Sequence, residues 1–495
     1  METVVYKSTR GHGEPVSASY AIVHGIAEDG GLFVPDHMPK MDRELSELME
    51  MDYRCLAYEV MKLFLTDFSE EELRLCIDHA YDDKFDTREI APLKHPGESN
   101  VLELFHGATL AFKDMALSVL PYLMITAAHK QNLEEEIVIL TATSGDTGKA
   151  ALEGFANVGG VRIIVFYPKD GVSSIQKLQM ITQQGDNTHV IAMKGNFDDA
   201  QRSVKEIFTD PEEAVRMKNA GYMFSSANSI NIGRLIPQVV YYYWAYAQMV
   251  KSGRVRLGEA VNFCVPTGNF GNILAAHYAK LMGLPVGRLI CASNSNNVLT
   301  DFFHTGRYNA NREFFVTSSP SMDILVSSNL ERLLYQLCGE NGAQVQELMD
   351  SLRQRGSYIL PVDKTVLEGE FWAGFADEEA TAAAIRMVYE TEGYVMDPHT
   401  AVAYSVSEQY RQESGDERPL VVVSTASPYK FPASILQAIG KEVPEDEEEL
   451  MNSLSVLSGT EVPQRVKMVL NAPVRHYRVC EKDKALAEVH DILGL

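Results

Sequence analysis

The chain has 495 residues, 45% hydrophobic and 23% charged, the proportions of a folded globular protein rather than a disordered one. Acidic side chains number 68 against 44 basic ones, a formal charge of −24, which speaks against nucleic acid as a partner and requires any anionic small substrate to meet a locally basic site. The length suits about three domains. Six cysteines without a C-x-x-C pair suit reduced thiols and a cytoplasmic location. The opening Met1-Glu-Thr-Val-Val-Tyr-Lys7 has no basic stretch leading into an apolar one, so no signal peptide is expected. No apolar run approaches the ~20 residues of a membrane span. Ile236 to Val250 comes nearest, but it is aromatic-rich, contains Gln238 and Gln248, and reads as a buried helix.

In chain order, residues 1 to about 95 read as mainly helical after a short extended start, with apolar residues at helical spacing in Arg43–Phe64 and Glu71–Ala80. Pro92, Pro96 and Gly97 mark a boundary. A helix is predicted over Asp114–Ile125. The chain then alternates. Strands are predicted at Ile137–Ala142, Val161–Phe166 and His189–Met193, with helices starting near Thr147, Ser174 and Asp198. A fourth strand, Asn262–Val265, leads through a glycine turn into a helix ending near Leu281. Arg288–Ala292 and Leu420–Ser424 read as further strands. The acidic run Glu445–Glu449 reads as a solvated loop or helix start. Repeated strand, turn and helix imply an α/β fold of parallel sheets covered on both faces. Ligands in such folds sit in the turns that follow the carboxyl ends of the strands.

Three of those turns can carry chemistry. Thr141-Ala-Thr-Ser-Gly-Asp-Thr-Gly148 offers hydroxyls and the N–H groups of a helix start, which suit a carboxylate or phosphate. It lacks the Walker spacing, and an N-capped helix explains it equally well. Pro266-Thr-Gly-Asn-Phe-Gly-Asn272 has glycines that let backbone N–H groups converge on one phosphate, or it is a tight turn. Ser424-Thr-Ala-Ser-Pro-Tyr-Lys430 presents hydroxyls at a strand end and, alone, reads more simply as a helix cap. Lys113 stands in the apolar stretch Phe105–Asp114. Desolvated there, its amine has a lowered pKa and is nucleophilic; the alternative is a lysine snorkelling from an amphipathic helix. His106 lies seven residues earlier, where a helper role is open. No H-E-x-x-H or zinc-spaced Cys/His cluster occurs, so no metal is expected. A lysine amine, a phosphate cradle and a carboxylate cradle together are the parts of a pyridoxal phosphate enzyme acting on an amino acid.

These segments, with Tyr6-Lys-Ser-Thr-Arg10 and Ser226-Ala-Asn-Ser-Ile-Asn-Ile-Gly-Arg234 in the same order, resemble threonine synthase in the longer form of bacteria and fungi, over nearly the whole chain. The resemblance implies the fold-type-II pyridoxal phosphate architecture, with two doubly wound parallel-sheet domains and a mostly helical N-terminal domain. The corresponding division is 1–95 for the helical domain, 96–135 with 236–495 for the large cofactor-binding domain, and 136–235 for a small domain inserted in it. It implies pyridoxal 5'-phosphate as cofactor, with Lys113 as the Schiff-base lysine. Gly268, Asn269, Phe270, Gly271 and Asn272 would hold the cofactor phosphate, and Thr425 the pyridine nitrogen. Thr143, Ser144, Gly145, Asp146 and Thr147 would hold the substrate. Asp146 stands where related cysteine synthases carry asparagine near the cofactor hydroxyl, so it faces either that hydroxyl or the substrate.

The implied reaction converts O-phospho-L-homoserine and water to L-threonine and phosphate, by γ-elimination and β-hydration with Lys113 as the base. Arg234, Lys149 and Lys177 are candidates to meet the leaving phosphate. The expected state is a monomer or homodimer. Two other readings share these parts: a phospho-lyase releasing 2-oxobutyrate, and a non-catalytic metabolite-sensing cofactor binder. The retained Lys113 argues against the second.

Overall fold

The computed structural model describes residues 2–143, 145–169, 172 and 174–495. It holds a mainly parallel six-stranded sheet, a parallel five-stranded sheet and a helical N-terminal region. The N-terminal strands Tyr6–Ser8 and Phe33–Pro35 pair antiparallel. Around them lie helices Ala18–His24, Leu45–Met49, Tyr53–Met61 and Glu70–Ala80. The last begins with a capping box in which Ser69 and Glu72 satisfy each other's backbone N–H.

The stretch read as a buried helix is Ile232–Lys251, a 20-residue helix buried nearly throughout. A helix apolar on all sides needs neighbours on all sides. It has them in Tyr53–Met61, Asp114–Leu117 and Gly271–Met282. Among the described residues no helix is long and apolar enough to cross a membrane.

The larger sheet has the spatial order Phe371–Phe375, Val286–Ser293, Val261–Pro266, Leu420–Ser424, Val101–Glu103, Leu93–Lys94. Every pair is parallel except the last. Helix Pro398–Ser414 covers one face, where Val402 and Val406 pack on Cys264, Ile290 and Val422. Successive strands leave Val261–Pro266 in one direction and Leu420–Ser424 lies on its other side, so the order reverses between these two.

The smaller sheet is parallel throughout and runs Arg478–Glu481, Thr188–Lys194, Val161–Pro168, Glu136–Ala142, Tyr222–Ser225. Its reversal falls between Glu136–Ala142 and Tyr222–Ser225. Ligand crevices of open α/β sheets form at such reversals, beyond the carboxyl ends of the strands. Each sheet therefore directs a pair of turns toward one place: 266–272 and 425–430 from the larger, 143–148 and 226–234 from the smaller.

Two expectations change. The C-terminal segment, assigned with 236–495 to the larger unit, returns to the smaller sheet. Arg478–Glu481 pairs with Thr188–Lys194, and Val489 of helix Ala485–Leu493 is buried in the same core cluster as Val138, Leu140 and Ile164. The helix predicted over Asp114–Ile125 is two helices, Asp114–Leu117 and Leu120–Lys130. Pro121 has no N–H for the carbonyl of Leu117, so the first helix cannot run through.

That carbonyl faces Gly154 in helix Asp146–Phe155, where a Cβ would come within 2.1 Å of it. Gly154 thus lets the helix beginning with Asp146 approach the helix that follows Lys113. Helix propensity alone makes Gly154→Ala stabilising by about 1 kcal/mol. The backbone clash reverses the sign, and the expected result is a loss of about 1–3 kcal/mol, measured by urea unfolding.

Candidate functional site

Lys113 is fixed by backbone pairing with the turn after Leu420–Ser424. Leu104 N–H donates to the Ser424 carbonyl (2.9 Å), Phe112 N–H to that of Thr425 (2.8 Å), and Ser427 N–H to that of Leu110 (3.0 Å). Thr425 and Lys113 are therefore neighbours through the main chain. Asp114, fully buried, closes the loop by accepting from Thr109 N–H (2.7 Å) and the Thr109 hydroxyl (2.6 Å). Burial outweighs those bonds and raises its pKa to about 6.

The Lys113 amine reaches inward. Its Nζ lies 3.4 Å from Ser321 Oγ and 3.9 Å from Asp146 Oδ2. Burial lowers its pKa, Asp146 opposes, Arg234 and Lys430 add to the lowering, and the result is about 8. The site thus keeps about a tenth of the amine uncharged at pH 7, far more than an ordinary lysine with its pKa of about 10.4. Asp146, the first residue of its helix, accepts from Lys430 Nζ (2.8 Å), Gln176 Nε2 (3.0 Å) and Ser321 Oγ (3.3 Å). Burial alone would raise its pKa, but Lys430 and Lys113 outweigh it and hold the carboxyl well below the usual carboxylate range. Lys430, itself buried, donates to the Thr109 carbonyl at 3.1 Å.

The 266–272 turn is held from outside by side chains and main chain of a remote segment. Ser327 Oγ donates to the Gly268 carbonyl (2.7 Å), and Asn329 donates to the Asn269 carbonyl from both N–H (3.1 Å) and Nδ2 (3.0 Å). Phe270 adopts φ +64°, a left-handed conformation that is costly for a non-glycine residue. Its ring is buried against Phe303 and Phe371. Helix Gly271–Met282 starts directly after it. Asn272 Oδ1 accepts from the Tyr241 and Tyr242 hydroxyls, each at 2.6 Å. Asn272 Nδ2 is buried with no partner among the described residues, and a buried donor in that state calls for a ligand, a water or an ion.

In the 143–148 turn, Thr143 Oγ1 accepts from Gly145 N–H (3.0 Å) and Gly148 N–H (2.9 Å), so the hydroxyl shapes the turn itself. Thr147 is half-buried, and Ser144 lies outside the described residues. Arg234 follows Tyr222–Ser225 and is buried. Among the described residues its side chain makes one hydrogen bond, from Nη1 to the Ala227 carbonyl (3.0 Å), and its Nε has no partner. Burial pulls its pKa to about 10.

The other two cations differ from it. Lys149 is engaged by Glu153 (2.9 Å) and Gln183, and Lys177 is half-buried on helix Ser174–Ile181. His106 serves elsewhere: its ring bridges Asp86 (2.6 Å) and Glu103 (2.9 Å), and although burial lowers its pKa, those two carboxylates raise it to about 9. The site residues missed by sequence reasoning are Gln176, Ser321 and the pairing role of Lys430. Only Lys430 had a signal, as the charged end of the Ser424–Lys430 turn.

Three protein families match the chain: threonine synthase N terminus over residues 5–81, pyridoxal-phosphate dependent enzyme over 101–426, and threonine synthase C-terminal over 400–485. The Pseudomonas aeruginosa threonine synthase is 38% identical over 437 residues, covering 88% of this chain and 90% of that one. Human threonine synthase-like 1 is also 38% identical, over 96% of this chain and 66% of its own length. The chain spans about three-fifths to two-thirds of such threonine synthase-like 1 relatives. Among solved structures, pyridoxal-phosphate-bound threonine synthase from Brucella melitensis superposes with a TM-score of 0.87 at 35% identity, over 99% of both chains. The yeast threonine synthase gives 0.88 at 30% identity, again over 99% of both.

Removing one partner of a buried ion pair strands the other. Lys430→Met is expected to cost about 3–5 kcal/mol, and adding Asp146→Asn to recover part of it, with a coupling above about 1 kcal/mol in denaturant unfolding. The sign with pH follows from the depressed Asp146 pKa. Its stabilisation is fully present above the unfolded value of about 3.9 and is lost as pH falls through the folded value. In the double variant that acid-side loss shrinks.

Proposed function

Because this chain belongs to the threonine synthase family of pyridoxal-phosphate-dependent enzymes, we propose that it converts O-phospho-L-homoserine and water to L-threonine and phosphate. The observation that carries the reading is the buried Lys113 amine, lowered to about 8, where turns from both sheets meet. The residues fit the cofactor. Lys113 Nζ would hold its aldehyde carbon, and the N–H groups of Gly268–Asn272 its phosphate, next to the unpartnered Asn272 Nδ2. Thr425, whose hydroxyl has no partner among the described residues, would meet the ring nitrogen and leave it largely unprotonated. When bound, the conjugated ring stores the electron pair left as protons depart from carbon.

The chain's own residues do the rest. The N–H groups at the start of Asp146–Phe155, with Thr143 and Thr147, hold the substrate carboxylate. Asp146 is already engaged by Lys430, Gln176 and Ser321, and we assign it to Lys113 rather than to the substrate. Lys113 would take a proton from Cα and then from Cβ; one proton goes to Cγ once phosphate has left, water adds its hydroxyl at Cβ and gives its other proton to the released phosphate, and Lys113 returns the second proton to Cα. Arg234, the buried arginine with an unpartnered Nε, meets the phosphate leaving from Cγ. Lys149 is held by Glu153 and Gln183 and is not given that role. We place the chain in the cytoplasm on its free cysteines, as a monomer or homodimer. We divide it as helical 1–95, large 96–135 with 236–474, and small 136–235 with 475–495.

The test is to incubate the protein with pyridoxal phosphate and O-phospho-L-homoserine and to identify the products. L-Threonine and phosphate in equal amounts are expected. Lys113→Ala is expected to lower turnover by about 10²–10⁴-fold or more with an unchanged circular dichroism spectrum. Release of 2-oxobutyrate and ammonia would replace the reading with that of a phospho-lyase, and a wild-type protein without turnover would replace it with that of a sensor.

A further inference from the structure

The roof over Lys113 comes from a part of the chain remote from the turns around it. Residues 310–329 contain one short 3-10 turn, Pro320–Met322, and no strand or helix. Irregular segments of that length inside a domain are functional or disordered, and this one is pinned. The Asp323 carboxylate accepts from Asn294 Nδ2 (2.7 Å), Asn296 Nδ2 (2.9 Å), Thr317 N–H (3.0 Å) and Thr317 Oγ1 (2.7 Å). Its tip rests on the 266–272 turn, where a Cβ on Gly268 would come 2.6 Å from the Ser321 carbonyl.

Ser321 stands at that tip. Its Oγ lies 3.4 Å from Lys113 Nζ and 3.3 Å from Asp146 Oδ2. The single hydroxyl proton goes to the carboxylate, which leaves the oxygen lone pairs facing the amine. Its main chain is held separately, by Ser321 N–H donating to His399 Nε2 at 3.1 Å. A backbone N–H can only donate, so Nε2 is the bare nitrogen and the ring proton sits on Nδ1, 2.6 Å from Asp397 Oδ2. Asp397 is fully buried and caps helix Pro398–Ser414. Its other oxygen accepts from Thr400 N–H (3.1 Å) and from the Thr400 hydroxyl, which in turn accepts from Ser424 Oγ (2.7 Å), the residue before Thr425. One carboxylate thus ties the roof over Lys113 to the strand end beside it.

We propose that Ser321 is a positioning residue for Lys113, the acceptor that orients its amine and stabilises it when protonated, and that Asp397 and His399 are the brace that sets Ser321. This rests on the reading of Lys113 as the reacting amine. Loss of the Ser321 oxygen costs the charged form, the stronger donor, more than the neutral amine, so the amine's pKa falls further.

The experiment uses the full-length holoenzyme and its Ser321→Ala, Ser321→Thr, His399→Leu and His399→Gln variants. It reads kcat and KM against pH, together with the pH titration of the bound cofactor's visible band. For Ser321→Ala the expected result is a kcat about tenfold or more lower, with KM within about threefold. The acid limb of kcat and the midpoint of the band both move down by about one pH unit. Ser321→Thr, which restores the hydroxyl, recovers at least half of the shift. His399→Leu reproduces it in smaller measure, and His399→Gln, which keeps an acceptor for Ser321 N–H, reverses that. An unshifted midpoint in Ser321→Ala, or equal shifts in Ser321→Ala and Ser321→Thr, overturns the proposal. If Ser321→Ala does not fold, the His399 pair decides alone by the same criterion. Failure of the functional reading is distinct, since it appears as the wrong product from the wild type while the band titration still reports on Lys113.

Discussion

A lysine amine taken out of water is the constraint that the rest of the site answers to. Burial lowers Lys113 to about 8, and the nearest carboxylate, Asp146 at 3.9 Å, limits the fall. Asp146 can act so only because Lys430 stands 2.8 Å from its other oxygen. With Arg234 added, three buried cationic side chains face one ionised carboxylate, while Asp114 is raised to about 6. A chain of net charge −24 thereby holds a positive interior around Lys113. The overall charge and the local charge have opposite signs, as the phosphorylated substrate proposed above would require.

Topology delivers these groups to one point. Each sheet reverses its strand order once next to the site, and the four turns flanking the two reversals carry Thr425, the 266–272 cradle, the 143–148 turn and Arg234. Main-chain bonds between 110–112 and 425–427 then fix Lys113 to the larger sheet, while Gly154 lets the Asp146 helix close in from the smaller one. Catalytic side chains held by main-chain pairing and helix packing keep their geometry better than side chains on free loops.

Much of this was legible in the sequence because it is local. The strand-turn-helix units at 136–155, 261–282 and 420–430 lie close to their predicted limits, and the three chemical turns sit where alternation places them. What escaped is non-local or irregular. Ser321 belongs to a segment with no period to read, and its significance comes from contacts with Lys113 and His399 that only the fold creates. Lys430 was visible as a residue, but its partner Asp146 lies far away in sequence. The role of His106 also depends on non-local contacts: both ring nitrogens are engaged by carboxylates, Asp86 and Glu103. The strand Arg478–Glu481 is short and exposed except at Cys480, with no alternation to reveal that it joins the smaller sheet.

The titration of the Lys113 amine itself tests the account most directly. The full chain without added cofactor is labelled by a small amine-reactive reagent over a range of pH, and the Lys113-containing peptide is quantified by mass spectrometry. A modification midpoint near 8 is the expected result. A midpoint at the ordinary lysine value of about 10.4 would mean that the amine is hydrated in solution, and the arrangement of Asp146, Lys430 and Ser321 around it would lose its meaning.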